Sequence, residues 1–210
     1  MSPVIVVAGG EPPPLSLADR LPHAGTVIAA DSGLDHARAL GLEPTILVGD
    51  LDSVSAAGLH WAQEREVEIE RHPRDKDATD LELAIAAAAR YSNQVVVVDG
   101  GEGRCDHRLG NVLLLGSSRW QDLDLEMVVT GGHITVVRHS RTIEGRVGDV
   151  VSLMALAGDA TGVTSSGLKW PLTDATLRAG SSLGISNELS DLRATISIGS
   201  GVVYAVQPTS

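Results

Sequence analysis

Six aspartates stand where runs of Val, Ile and Leu give way to a turn or to the start of a helix: Asp31, Asp50, Asp52, Asp77, Asp80 and Asp106. Aspartate also favours turns and helix N-caps, so one such residue says little. Six on one rim say more, because clustered carboxylates repel unless a counter-ion joins them. A hard cation with oxygen ligands resolves the repulsion, and Mg²⁺ held by a few carboxylates and substrate phosphates is the usual form. Asp50 and Asp52 lie two residues apart, so an extended backbone would point both to one side and let them share one ion. The alternative is that one of them caps the following helix. The glycine-rich stretch Asp99–Gly103, ahead of a helix, suits anion binding by backbone N–H groups. Arg104 and Arg108 beside it offer planar forks for phosphate oxygens. Gly9-Gly10, after the first strand, is a second and weaker candidate for a phosphate or nucleotide contact, and no Walker loop occurs.

The elements that must hold these residues are legible as two halves. From residue 1 to about 130, strand candidates alternate with helix-length segments. The strands are Val4–Ala8, Thr26–Ala30, Thr45–Gly49, Val67–Arg71, Gln94–Asp99 and Leu125–Thr130. The helical stretches are Ser16–Leu21, Leu34–Leu40, Ser55–Glu66, Asp80–Tyr91 and His107–Trp120. Most of the strands are near-continuous apolar runs, as in strands buried on both faces. Thr79-Asp80-Leu81-Glu82 is a capping box. The alternation predicts an α/β, doubly wound, mostly parallel sheet whose ligands sit outside the carboxyl ends of the strands. From about 131 to 210 the helical pattern stops. His133–Arg138, Val150–Leu156, Leu192–Ile198 and Val202–Val206 read as strands of a small all-β sandwich. The expected organisation is therefore residues 1–130 and 131–210.

The composition closes off other classes. In 210 residues, 16 Lys and Arg face 27 Asp and Glu, a formal charge of −11. With no basic patch, such a chain repels nucleic acid and anionic membranes. A phosphate ligand would then need a divalent cation beside it. The single cysteine, Cys105, excludes a disulfide framework. The N-terminal residues read as a first strand rather than a leader, and no apolar run spans a bilayer, so the expected location is the cytoplasm.

Taken in order, Ala30-Asp31-Ser32-Gly33, Val48-Gly49-Asp50-Leu51-Asp52-Ser53, Lys76-Asp77-Ala78-Thr79-Asp80-Leu81-Glu82, Gly103-Arg104-Cys105-Asp106-His107 with Asn111, Gly167-Leu168-Lys169-Trp170-Pro171-Leu172 and Ser186-Asn187-Glu188 resemble the thiamine pyrophosphokinase family. The chain departs from that pattern at Ser32 and Glu102, where the family usually has glycine. The resemblance implies an α/β domain that binds ATP and Mg²⁺, then a β-sandwich that binds thiamine. It implies diphosphate transfer from ATP to the thiamine hydroxyl, with AMP released. Carried over residue by residue, Asp50, Asp52 and Asp80 would bind Mg²⁺, with Asp31 beside them. Asp77 or Asp80 would orient or deprotonate the hydroxyl. Lys76, Arg104, Asp106, His107 and Asn111, with Asp31, would serve ATP. Thr79, Trp170, Ser186 and Asn187 would serve thiamine, with Thr79 also the expected N-cap. Trp61 and Trp120 are read as packing residues. The resemblance further implies a homodimer with its sites at the subunit interface. Two other readings fit the acidic rim: a non-catalytic thiamine- or nucleotide-binding relative, and a different Mg²⁺-dependent phosphotransferase.

Overall fold

A computed structural model describes residues 2–101 and 103–209. The chain forms two compact units, and the division does not follow one cut. The first runs to Asn111 and takes in Met127–Thr130; the second holds Val112–Glu126 and everything from Gly131.

In the first unit, β1 (Val4–Val7), β2 (Thr26–Ala30), β3 (Ile46–Gly49), β4 (Glu68–Arg71) and β5 (Gln94–Asp99) are all parallel, in the order β5-β1-β2-β3-β4. Helices α1 (Gly33–Ala39), α2 (Ala56–Glu64) and α3 (Asp80–Ala88) lie between strands, as crossover connections require. Strand β1 is buried at every residue, which explains the unbroken Val-Ile-Val-Val run. Ile5 and Val7 join Val27, Ala37, Val96 and Val98 in one core, while Ala29, Leu34, Leu47 and Ala62 form another. Strand β4, by contrast, is an edge strand of sequence Glu-Ile-Glu-Arg and is largely exposed. Charged side chains on an edge discourage pairing with another chain.

The segment expected as a first helix is a 3₁₀ turn, Leu15–Arg20. Thr79 caps α3, its hydroxyl accepting from the Glu82 N–H at 3.2 Å. Helix α4 (Cys105–Leu115) ends earlier than the expected Trp120, and a separate 3₁₀ turn covers Ser118–Trp120. The break falls at Gly116, where a Cβ would lie 2.2 Å from the Tyr204 hydroxyl.

Strand β6 (Asp124–Val129) follows, and the second unit then contains two antiparallel sheets. One holds β7 (Gly132–Val137), β9 (Val150–Met154), β12 (Asn187–Glu188) and β14 (Val203–Pro208), in the order β12-β9-β14-β7. The other holds β8 (Ser140–Glu144), β10 (Ala160–Ser166), β11 (Ala175–Leu177) and β13 (Arg193–Ser197), in the order β11-β10-β13-β8. Val137, Val151, Leu153 and Val203 meet Ile143, Val163, Leu177 and Ile196 in one core, a sandwich as expected. No helix among the described residues is long and apolar enough to cross a membrane.

Candidate active site

The carboxyl ends of β2 and β3 carry the acidic group. Asp31 leaves β2 in the left-handed region (φ 48°), its N–H donating to the Val48 carbonyl at 2.9 Å. Its own carbonyl accepts the Leu34 N–H at 3.0 Å, which starts α1. Gly33 must lack a side chain here, because a Cβ would lie 2.2 Å from the Val7 oxygen. At the end of β3, Gly49 adopts φ 147°, and a Cβ on it would come within 3.1 Å of Asp80 Oδ1 and 3.2 Å of Asp31 Cβ. That glycine gives Asp31 and Asp80 the room to approach each other.

Asp50 and Asp52 do converge, but the extended backbone expected between them is absent. Leu51 sits at φ 69°, and the Asp52 N–H donates to Asp50 Oδ1 at 3.1 Å. A tight turn, rather than strand alternation, brings the two carboxylates round. Asp31, Asp50 and Asp52 each offer an oxygen within 4.8 Å of the others. Asp31 thus takes the place in this cluster that the sequence reading gave to Asp80. Asp80 instead faces Lys76, whose Nζ is 3.1 Å from Asp80 Oδ1 and 3.6 Å from Asp50 Oδ2. The Lys76 side chain is only 14% exposed, so it is a partly desolvated charge held between two carboxylates.

Electrostatics at the group are unbalanced. Burial pushes the Asp31 carboxyl above the usual aspartate range, and Asp80 and then Asp50 add to the rise against hydrogen bonds from Ser53. Asp50 is held below that range by the Asp52 amide and by Lys76. Burial works against the Lys76 charge, but Asp80 and Asp50 outweigh it and raise its pKa. Asp31 Oδ1 is buried and accepts no hydrogen bond among the described residues, whereas Asp80 Oδ1, also buried, has the Lys76 ammonium 3.1 Å away. A buried, unsatisfied carboxylate oxygen is costly, and a hard cation is the partner that relieves it. Asp77 is exposed and stands outside the group.

The glycine-rich loop is a separate construction. Asp99, buried at the end of β5, accepts the Gly101 N–H at 2.9 Å and the Asn111 carboxamide at 2.8 Å. Thr130 Oγ1 donates to the Gly100 carbonyl at 2.5 Å. Sequence reasoning gave Asp99 no role, although its position before Gly100-Gly101 was the available signal. Arg104 grips Asp106 with both arms, Nε to Oδ1 at 3.1 Å and Nη2 to Oδ2 at 2.6 Å, and holds its carboxyl at about 2. Arg104, Asp106 and His107 are exposed, and among the described residues Arg104 is paired with Asp106 rather than with the acidic group. Glu102 lies outside the described residues.

In the second unit, Trp170 is 53% exposed while Asn187 is buried. The Asn187 carboxamide closes a reciprocal clamp, Trp170 N–H to Oδ1 at 3.1 Å and Nδ2 to the Trp170 carbonyl at 2.7 Å. Ser186 sits at φ 58°, its N–H donating to Ser152 Oγ at 3.0 Å. The other two tryptophans pack as expected: Trp120 is buried, and Trp61 lies beneath Arg38 and Arg65. This unit also holds a cavity of about 740 Å³, lined by Leu113, Arg138, His139 and Ser200 among others. None of the expected site residues lines it. Arg138 there donates to the Leu115 and Ser117 carbonyls at 2.8 and 2.9 Å, closing the end of α4.

The pattern described as "Thiamin pyrophosphokinase, catalytic domain" matches residues 17–129, and "Thiamin pyrophosphokinase, vitamin B1 binding domain" matches residues 136–203. The chain belongs to the thiamine pyrophosphokinase family. Thiamine pyrophosphokinase of Bacillus subtilis is 28% identical over 185 residues, covering 87% of this chain and 86% of that protein. Thiamine pyrophosphokinase 1 of Oryza sativa subsp. japonica is 23% identical, covering 78% and 66%. The crystal structure of the Bacillus subtilis thiamine pyrophosphokinase superposes with a TM-score of 0.83 at 26% identity, over 99% of both chains. That of the Enterococcus faecalis family protein gives 0.81 at 25%, over the whole of both. Thiamin pyrophosphokinase from Candida albicans, at 14% identity and TM-score 0.74, shares the fold. The family resemblance and the fold class expected from the six motifs are thus borne out. Asp31, Asp50, Asp52, Lys76 and Asp80 all lie in the part matched to the family's catalytic domain, and Trp170, Ser186 and Asn187 in the part matched to its vitamin B1 binding domain.

Proposed function

We propose that this chain is an ATP-dependent diphosphotransferase that converts thiamine to thiamine diphosphate and releases AMP. The observation that carries this reading is the cluster of Asp31, Asp50 and Asp52, with Lys76 held between Asp50 and Asp80, within the stretch matched to the family's catalytic domain. The thiamine hydroxyl oxygen attacks the β-phosphorus. The bond from that phosphorus to the α–β bridging oxygen breaks, and AMP leaves with the electron pair. The hydroxyl proton passes to a carboxylate. Asp80 suits that role better than Asp77, because it belongs to the group while Asp77 faces solvent. Such a transfer depends on positioning and on neutralising charge that develops on the phosphate oxygens.

Asp31, Asp50 and Asp52 would hold Mg²⁺, with Asp80 beside it. The donor set is all carboxylate oxygen and includes an unsatisfied buried atom, which fits a hard divalent ion. When bound, the ion supplies positive charge next to the phosphates. Lys76 adds a fixed positive charge at the same edge of the sheet. Arg104 would exchange Asp106 for a phosphate, and His107 stands in the same exposed helical turn. Asn111 acts on ATP through Asp99, by holding the glycine loop. The Trp170 indole would stack on thiamine, while Ser186 and Asn187 set its loop. Thr79 shapes the start of α3, with its hydroxyl committed to the cap. We further propose a cytoplasmic homodimer whose sites lie at the subunit interface, as the family resemblance implies. The reading is tested by ATP consumption that requires thiamine and Mg²⁺ together. Consumption that ignores thiamine would refute it.

A further inference from the structure

The Trp170 indole, half exposed, already carries a cation. Lys169 Nζ lies 4.6 Å from the ring centre and 2.8 Å from Glu188 Oε2. Backbone and side-chain bonds hold this group in place. The Lys169 N–H donates to the Glu188 carbonyl at 2.9 Å, and Asn187 Oδ1 accepts the N–H groups of both Trp170 and Glu188. Residues 169–170 and 187–188 are therefore locked side by side. They present an indole, an ammonium and a carboxylate as one surface unit.

We infer that Lys169 and Glu188 tune how strongly Trp170 holds a positively charged ring. The inference rests on the reading that Trp170 meets the thiazolium of thiamine. An indole face attracts a cation through its quadrupole. Lys169 occupies one such position, so a thiazolium must share the ring with it on one face or the other. Two like charges across an aromatic ring stand roughly 8 Å apart and repel, whereas Glu188 offsets the Lys169 charge. Removing Lys169 takes away the repulsion and leaves the Glu188 carboxylate to attract the ligand. Removing the Glu188 charge does the reverse.

The test measures dissociation constants by calorimetry on the full-length protein with two probes. One is thiamine; the other is its isostere with an uncharged thiophene in place of the thiazolium. Lys169→Met keeps the aliphatic stem, and Glu188→Gln keeps the shape. Both side chains are substantially exposed, so the fold tolerates the changes. Lys169→Met should tighten thiamine binding by roughly two- to sixfold at low salt, and Glu188→Gln should weaken it by a similar factor. The neutral isostere should move by less than about 1.5-fold in either variant, since it carries no charge to be repelled. Parallel shifts for both probes, or thiamine binding unmoved in both variants, would overturn the inference. Trp170→Ala separates the two levels. If it weakens thiamine while the charge variants do not discriminate the probes, only the tuning fails; if it leaves thiamine unaffected, the reading of Trp170 fails and the inference with it.

Discussion

In the proposed reaction, Asp50 and Asp52 are the residues on which the chemistry would depend most directly. Each contributes charge to the oxygen cluster and little to packing, since Asp52 is exposed and Asp50 is only partly buried. Asp50→Asn or Asp52→Asn should therefore lower turnover by at least about a hundredfold with the fold retained. Near-normal rates at limiting Mg²⁺ would show that the ion is held elsewhere. Asp31 carries a different signature. Burial raises its pKa, so its contribution to stability is present below the ordinary aspartate range and lost as pH rises through the raised value. At neutral pH its carboxylate opposes folding and favours the ion. Asp31→Asn should then raise the Tm at pH 7 while abolishing activity, and the gain should shrink as pH falls through the raised value and be gone at the ordinary aspartate pKa of about 3.9. A Tm for Asp31→Asn below that of wild type at pH 7 would contradict this account.

At the scale of elements, Gly49 shows how backbone and site are coupled. At φ 147° no L side chain is comfortable, and a Cβ would press on Asp80 and Asp31. Gly49→Ala should strain the turn and part the carboxylates. Activity should fall more than tenfold and Mg²⁺ should no longer raise the Tm, a pairing that a purely structural defect would not produce. The parallel strands that build this rim were legible because burial on both faces writes an unbroken apolar run, as in Val4–Val7 and Gln94–Asp99. Strand β10 was not legible. Its inward positions hold Ala160, Val163 and Ser165, which make no hydrophobic signal among Thr, Gly and Ser. Strands β11 and β12 span three and two residues, too short for any period to register. In the site, the aspartates were legible as a set, with Asp31 beside Asp50, Asp52 and Asp80, but the turn at Leu51 was not. The turn follows from left-handed backbone at Leu51, a residue whose type does not announce it.

At the scale of the molecule, the two units carry complementary parts of the proposed chemistry, acids in one and an exposed indole in the other. In the proposed homodimer, mixing Trp170→Ala with Asp50→Asn subunits should recover part of the activity, because one hybrid site would be wild type. No recovery after verified subunit exchange would rule out shared sites and leave each chain to act alone. The net charge of −11 bears on the whole surface as well, since in the proposed reaction it would place the burden of attracting ATP on the cation and on Lys76. The most direct measurement is a simultaneous assay of AMP, ADP, thiamine monophosphate and thiamine diphosphate after incubating the protein with ATP, Mg²⁺ and thiamine. AMP and thiamine diphosphate should appear in equal amounts, and neither should form when Mg²⁺ is chelated. ADP with thiamine monophosphate, or thiamine bound with ATP left intact, would contradict diphosphate transfer by this chain.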